Sequence, residues 1–521
     1  MALDIGHKVL DREVRRARVE GRPTPTVAIV GGGLSGLATA IQLVRAGVRS
    51  FTVIEQSEGV GGTWRDNIYP GAACDVPSHL YSFSFAPKTD WTRRFADQPE
   101  ILSYAEDLVD RYHLAPHLRL ATTVRSARYD GSSGTWHLDL HAESGDDELE
   151  ADTVVFACGQ LNRPHFPDVE GVDSFAGPSW HSARWDHTVD LTGKQVAVVG
   201  TGASAIQFVP PVAETAAGTT IFQRSPNYVG PKKDRPYTAG MRSALQRVAP
   251  LRWAYRWWIY WTLEMRWLWF RRDSFAGKQL QSMFRKGIRD EVVNDRLPEH
   301  AVVPDYPLGC KRVLISNDWY PALLRPDVTV VDSPVSRVEA DAVVTADGTR
   351  HPADVLIYGT GFVTTHFLSH IPVTGVGGRC LSDAWSEGAH AYLGSAVAGF
   401  PNCYILYGPN TNLGHNSILF MVERQLNLIL QALAAQTGAT TGSRTASVGV
   451  REAAYDRDDR HTQRRMGRTA WSASCTSWYK DATGRITNNW PTWTVRYWWD
   501  TLRFKPDDFE VVTQEADGQP V

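Results

Sequence analysis

Val27-Ala-Ile-Val30-Gly31-Gly-Gly33-Leu-Ser-Gly36 runs on into Leu37-Ala-Thr-Ala-Ile-Gln-Leu-Val-Arg-Ala-Gly47. The first four residues are the unbroken apolar run of a parallel strand buried on both faces. The glycines that follow make a turn, and the remainder reads as a helix closed by Gly47. In this strand–turn–helix reading Gly31 forms the tight turn and Gly33 lets backbone approach a pyrophosphate. Gly36 allows close helix–sheet packing, and the helix N-terminus faces the phosphates. A second strand, Phe51-Thr-Val-Ile54, ends on Glu55, an acid placed to hydrogen-bond a ribose hydroxyl. A lone glycine pattern is weak, but here strand, helix and acid follow in the right order. The expected fold class is therefore α/β with a Rossmann-like dinucleotide-binding domain.

Further along, Gln195-Val-Ala-Val-Val199 leads into Gly200-Thr-Gly202-Ala-Ser204-Ala205 and a helix-like run from Ile206 to Ala213. The next strand, Thr219-Thr-Ile-Phe-Gln223, ends in Arg224-Ser225 where the first copy carries an acid. Arginine suits a 2′-phosphate and removes the carboxylate that would repel it. The first site thus reads as binding FAD and the second NADPH, with a solvated surface charge as the other reading of Arg224. Two such sites together imply hydride passing from nicotinamide to flavin, the protein orienting both.

Composition narrows the classes. At 521 residues the chain is too long for one core. A net charge of −3 gives no concentrated basic footprint for nucleic acid. Six scattered cysteines with no CxxC pair fit a reducing cytoplasm and argue against a disulfide framework, so a cytoplasmic location is expected. The polar N-terminus lacks a signal-peptide apolar region, and no charge-free run of about 18 apolar residues marks a membrane span.

Two further stretches carry a family resemblance. Phe175-Ala-Gly177-Pro-Ser-Trp-His181-Ser-Ala-Arg-Trp185-Asp186 resembles the FxGxxxHxxxW(P/D) fingerprint of Baeyer–Villiger monooxygenases. Gly61-Gly62-Thr63-Trp64-Arg-Asp-Asn-Ile-Tyr69-Pro70-Gly71-Ala-Ala-Cys-Asp75 meets a second pattern of that family, (A/G)GxWxxxx(F/Y)P(G/M)xxxD. The likeness runs from about Val27 to Pro491 and is specific for the class, not for the substrate.

The resemblance implies oxygen insertion into a ketone, giving an ester or lactone through a C4a-peroxyflavin and a tetrahedral adduct. Oxygenation at nitrogen or sulfur on the same fold is the alternative. Arg312, in Pro307-Leu-Gly-Cys-Lys311-Arg312, is similar to the family's active-site arginine, and Asp75 to the carboxylate that aims it. Gly62, Thr63 and Trp64 fall in the flavin-binding stretch. Lys311 is similar to a second contact for the NADP 2′-phosphate, beside Ser204, Arg224 and Ser225. Gly361, in Ala353–Phe362, resembles the turn re-entering the FAD domain, and Trp478 a tryptophan lining nicotinamide and substrate space. For Trp478 plain core packing stays open. His181 reads as a structural or hydrogen-bonding post between domains, not as a proton-transfer residue.

The implied organisation is a split FAD domain (1–158 and 380–521), an NADP domain (159–227 and 330–379) and a helical insertion (228–329). The insertion holds the tryptophan-rich stretch 251–270. On a helix, Arg252, Arg256 and Arg266 share one side while Trp253, Trp257, Trp261, Met265 and Trp269 step around the other. An internal packing face, a wall of an apolar substrate cavity, and a helix lying on a membrane surface all stay open for it. An apolar ketone and O2 are the expected partners, and nucleic acid is not.

Overall fold

The computed structural model describes residues 5–441, 445–475 and 477–513. Each glycine stretch follows the central strand of its own five-stranded parallel sheet. In the first sheet, Val27–Val30 lies between Phe51–Ile54 and Thr153–Phe156, with Leu118–Arg119 and Cys403–Ile405 at the edges. In the second, Gln195–Val199 lies between Gly218–Phe222 and Val355–Tyr358, with Val328–Val331 and Ser179–His181 outermost. Central strands that are apolar throughout are what a sheet covered on both faces demands; all four residues of Val27–Val30 are buried. A central strand flanked by crossovers on both sides leaves a crevice at its carboxyl end, where ligands bind in open α/β sheets. Both glycine loops sit at such a crevice.

Smaller antiparallel elements attach to each sheet. Thr122–Asp130, Thr135–Ala142 and Gly145–Ala151 form a meander beside the first, and Val335–Glu339, Ala342–Thr345 and Arg350–Pro352 a second one. The 22-residue helix Ile418–Ala439 is long and apolar enough, by length and composition, to cross a membrane. Glu423 and Arg424 interrupt its apolar run, so it shows no charge-free stretch of spanning length. Within the fold 89% of its apolar window is buried, and it packs beside the first sheet as a core helix.

Two expectations need correction. Cys310 and Cys475 form a disulfide across 165 residues of sequence, with Cα atoms 6.3 Å apart. Reading cysteines by local spacing cannot see a pair made by tertiary contact. The tryptophan-rich stretch is also not one helix: it is an α-helix from Ala249 to Glu264 followed by a 3-10 turn over Met265–Trp269. Nor do its three arginines share one environment: Arg252 and Arg266 are half-buried. Arg256 is buried and donates from Nη1 to the His79 carbonyl at 2.7 Å, whereas Trp258 and Trp261 are exposed.

Candidate functional site

Both glycine loops open on one cavity of about 1310 Å³. Gly31, Gly33 and Glu55 line it from the first sheet, Gly200, Gly202 and Ser204 from the second. Asp75, Arg312, Tyr407 and Trp478 line it as well.

The loops are shaped by close approach. A Cβ on Gly36 would lie 1.9 Å from the Gly31 carbonyl oxygen, so only glycine lets the helix start so near the strand. Gly33 meets Gly62 backbone to backbone: a Cβ at Gly62 would fall 3.0 Å from the Gly33 Cα. Helices Leu34–Arg45 and Ala205–Thr215 both begin without a side-chain cap. In the first helix the leading N–H groups face an anion site that the helix dipole favours; in the second, Ile206 and Gln207 N–H already donate to the Gly202 and Ser204 carbonyls, so the helix dipole and the glycine backbone favour an anion there. Uncapped helix ends above bare glycine backbone fit a dinucleotide pyrophosphate at each loop.

Glu55 is buried on the cavity wall. Its carboxylate accepts from the N–H groups of Gly32 (2.6 Å) and Ser57 (2.8 Å). Each oxygen keeps a second lone pair for a ribose hydroxyl. Thr63 and Trp64 belong to the short helix Thr63–Asp66, and the Trp64 indole donates to the Tyr81 hydroxyl at 3.0 Å.

On the second sheet's side, Arg224, Ser225 and Lys311 converge. Lys311 Nζ hydrogen-bonds to Ser225 Oγ and lies 4.6 Å from the centre of the Tyr306 ring. Its ammonium is held below the ordinary lysine range, first by burial and then by the positive charge of Arg224. Two cations that repel each other across a cavity wall fit a doubly charged phosphate, which relieves both.

Arg312 and Asp75 form an ion pair, Arg312 Nη2 donating to Asp75 Oδ2. Their side chains are 29% and 33% exposed, and both line the cavity. Burial opposes ionisation of Asp75, but the charge and hydrogen bond of Arg312 outweigh it and hold the carboxyl below its usual range. Asp75 in turn raises Arg312 above the ordinary guanidinium range, against burial. The pair is ionised at any working pH. Asp75 is placed by the Cys74 and Ser78 N–H groups, which donate to Ala96 and Arg94. Arg312 follows a turn in which Cys310 N–H donates to Pro307 and precedes the strand Leu314–Ile315, paired with Val229–Gly230.

His181 does not face the reaction space. It is 1% exposed. Its Nδ1 accepts from the Ala183 N–H, so Nε2 carries the proton and donates to the Gly361 carbonyl at 2.9 Å. Burial pushes this imidazole down to about 4, so it is neutral near pH 7. Gly361, on the cavity wall, also accepts from His165 N–H, which ties the return crossing to the linker. Trp185 is buried against Trp180 and Phe208, and so serves packing. Trp478 lines the cavity while its carbonyl accepts from Thr364 and Asn488.

Several site residues carried no motif. Gln207, one turn into the second glycine-loop helix, donates to the Ala73 carbonyl (3.0 Å) and accepts from the Tyr69 hydroxyl (3.0 Å). It stitches that helix to the segment holding Asp75. Tyr407, backbone φ +55°, lies beside Arg312 and donates to Asn412 at 2.7 Å. Gln160 donates to the Tyr407 carbonyl at 2.8 Å. Only Gln207 falls in a stretch quoted above, the run Ile206–Ala213; Gln160 and Tyr407 lie outside all of them, and a glutamine or tyrosine has many uses.

Comparison with known proteins agrees over nearly the full length. The model of the flavin-binding monooxygenase-like family matches residues 24–374. A Baeyer-Villiger monooxygenase of Streptomyces coelicolor is 41% identical over 492 residues, covering 93% of this chain and 92% of that protein. Another, of Pseudomonas aeruginosa, is 38% identical over 525 residues, covering 97% and 98%. Among solved structures, an OTEMO complex with FAD and NADP superposes with a TM-score of 0.82 at 28% identity, over 94% of this chain and 100% of that one. The closed form of a cyclohexanone monooxygenase gives 0.83 at 25% identity, over 94% and 99%.

Proposed function

Because this chain belongs to the flavin-binding monooxygenase-like family and its relatives include Baeyer–Villiger monooxygenases, we propose that it uses FAD, NADPH and O2 to insert one oxygen atom into an apolar ketone, releasing an ester or lactone. The observation that carries this reading is the Arg312–Asp75 pair on the wall of the cavity that both glycine loops enter.

Gly31, Gly33, Gly36, Glu55, Gly62, Thr63 and Trp64 would hold FAD, and Gly200, Gly202, Ser204, Arg224, Ser225 and Lys311 would hold NADPH. When bound, the flavin supplies electron transfer from NADPH and activation of O2. The chain's own residues then have separable tasks. Arg312 presents a permanent positive charge to the oxygen that becomes negative as a carbonyl carbon turns tetrahedral. Fixed charge in a cavity shielded from water is the strongest form of such stabilisation. Guanidinium suits the role because it does not lose its proton. Asp75 fixes the direction of that guanidinium, and ionisation of both partners keeps the pair from acting as a proton donor. His181, neutral and with both nitrogens engaged, acts as a post between the linker and the Gly361 turn. The split FAD domain, with the NADP domain and the helical insertion inside it, remains part of this reading, supported by Cys403–Ile405 joining the sheet of the first glycine loop. A cytoplasmic location also belongs to it: the four unpaired cysteines Cys74, Cys158, Cys380 and Cys403 fit a reducing compartment, and the Cys310–Cys475 bond is the observation that weighs against it.

The test is a ketone panel with NADPH and isotopically labelled O2, read by mass for one incorporated oxygen, run beside Arg312→Ala. We expect labelled ester from the wild type. In Arg312→Ala, NADPH should still bleach the yellow protein, while ester falls by about 100- to 1000-fold. NADPH consumption without ester across the panel, or with only sulfoxide from an added thioether, would overturn the ketone assignment.

A further inference from the structure

Helix Ala249–Glu264 has an inside and an outside, and the outside is the wrong way round for a water-facing helix. Its inner side is tied down. Arg256 donates to His79, Tyr260 hydrogen-bonds to Thr494 at 2.8 Å, and Glu264 accepts from Asn416 at 2.7 Å and from the Thr494 N–H at 2.6 Å. The charged groups that a surface helix usually turns to water are therefore spent in the interior.

The outer stripe carries none. Leu251, Trp258 and Met265 lie one above another at seven-residue spacing, with Trp261 beside them. They are 46%, 53%, 50% and 45% exposed. Ala254 and Thr262 are the other exposed residues of the stripe. A run of exposed apolar side chains of this kind marks a contact surface.

Charge says which contact. Residues 239–272 contain seven arginines and a single acid, Glu264, in a chain whose net charge is −3. Glu264 is fully buried, so no carboxylate of this segment reaches the surface. Arg247, Arg271 and Arg272 are exposed, and Arg242, Arg252 and Arg266 half-buried. From a neighbouring segment, Arg94 sets its guanidinium 5.9 Å from the centre of the Trp258 ring. The next carboxylate along the chain, Asp273, lies within 3.7 Å of Arg272 and 3.6 Å of Lys278. Exposed indoles rimmed by arginines, with acids absent or paired, are complementary to an anionic bilayer surface. There the rings settle among the headgroups and the guanidinium groups meet phosphates.

We propose that the outer face of helix Ala249–Glu264 docks this protein on anionic lipid bilayers. The docking does not depend on the reaction assigned above, since none of these outer residues lines the cavity.

The experiment is flotation of the purified full-length holoprotein with phosphatidylglycerol–phosphatidylcholine vesicles, with pure phosphatidylcholine vesicles, and without lipid. The companion is the double variant Trp258→Ser, Trp261→Ser, whose melting temperature and flavin content verify its fold. The wild type should float with the anionic vesicles, be released by added salt, and stay behind with the neutral ones. The double variant should bind the anionic vesicles about tenfold or more weakly. Equal binding of wild type and variant would overturn the proposal. So would wild type that ignores anionic vesicles, or one that self-associates through this face without binding lipid, which would make a second copy the occupant.

Discussion

Lys311 and Arg224 repel each other in the protein alone, and that repulsion is the sharpest residue-level statement about ligand choice. A 2′-phosphate held between them, as proposed, would convert a cost into two charge-assisted hydrogen bonds, a gain that a free 2′-hydroxyl cannot offer. Arg224→Ala should therefore raise KM for NADPH by about 10- to 100-fold and leave KM for NADH nearly unchanged. Steady-state assays with both nucleotides measure this, and an equal rise for both would show that Arg224 does not read the phosphate. His181 yields a second, independent prediction. Burial keeps it neutral, titrating at about 4 in the folded chain against an ordinary value of 6.5. Between those values the unfolded chain holds the extra proton. Stability should fall as pH drops from 6.5 toward 4 and should not respond to this group outside that window, a full effect on the order of 3 kcal/mol. Urea unfolding near pH 7 and near pH 5 should show the wild type losing about 2 kcal/mol more than His181→Gln. Parallel losses would mean that the imidazole is not held neutral.

At the scale of elements, what could be read from the chain and what could not divide by range. The strands at Val27 and Gln195, their glycine turns and the following helices were legible because apolar runs and turn residues are local signals. Arg312 and Asp75 were legible only through resemblance, since 237 residues separate them and no local pattern pairs them. The tryptophan-rich stretch shows the limit from another side. A helical wheel assigns faces by side-chain type, yet Arg256 faces inward because His79 and Glu423 wait there, and Trp258 is left outside. The Cys310–Cys475 bond is likewise purely tertiary, and it joins the turn before Arg312 to the segment before Trp478. It constrains an unfolded loop of 165 residues, so its removal should cost about 2–5 kcal/mol. Cys475→Ser should melt at the temperature of the wild type in dithiothreitol, both well below the oxidised wild type. A wild type whose melting ignores dithiothreitol would show that the pair is not bonded in solution.

Across the whole molecule, two sheets that each hold a nucleotide cradle must keep a fixed relation if hydride and oxygen chemistry are to follow one another in one cavity. The junction combines a polar stitch with apolar packing. Gln207 spans it, bonded to Tyr69 and Ala73, while Trp185 and Phe208 pack in the same core as Tyr69 and Ala72. Nearby, His181 fixes the turn at Gly361. Gln207→Leu keeps the volume but removes the acceptor of the Tyr69 hydroxyl, which keeps Ser204 as a partner, and the donor to the Ala73 carbonyl, at about 1–3 kcal/mol. That loss falls on the contact between sheets and not on either cradle. Affinity for FAD and KM for NADPH should therefore hold near wild-type values, while the share of NADPH oxidation that ends in hydrogen peroxide instead of ester rises severalfold. Simultaneous assay of NADPH, peroxide and ester decides it, because peroxide and ester together must account for the NADPH consumed. A variant that melts earlier but keeps the wild-type ratio of ester to peroxide would reduce Gln207 to a structural bond. A raised peroxide share, with both nucleotide sites intact, would place the coupling of the two half-reactions at this junction.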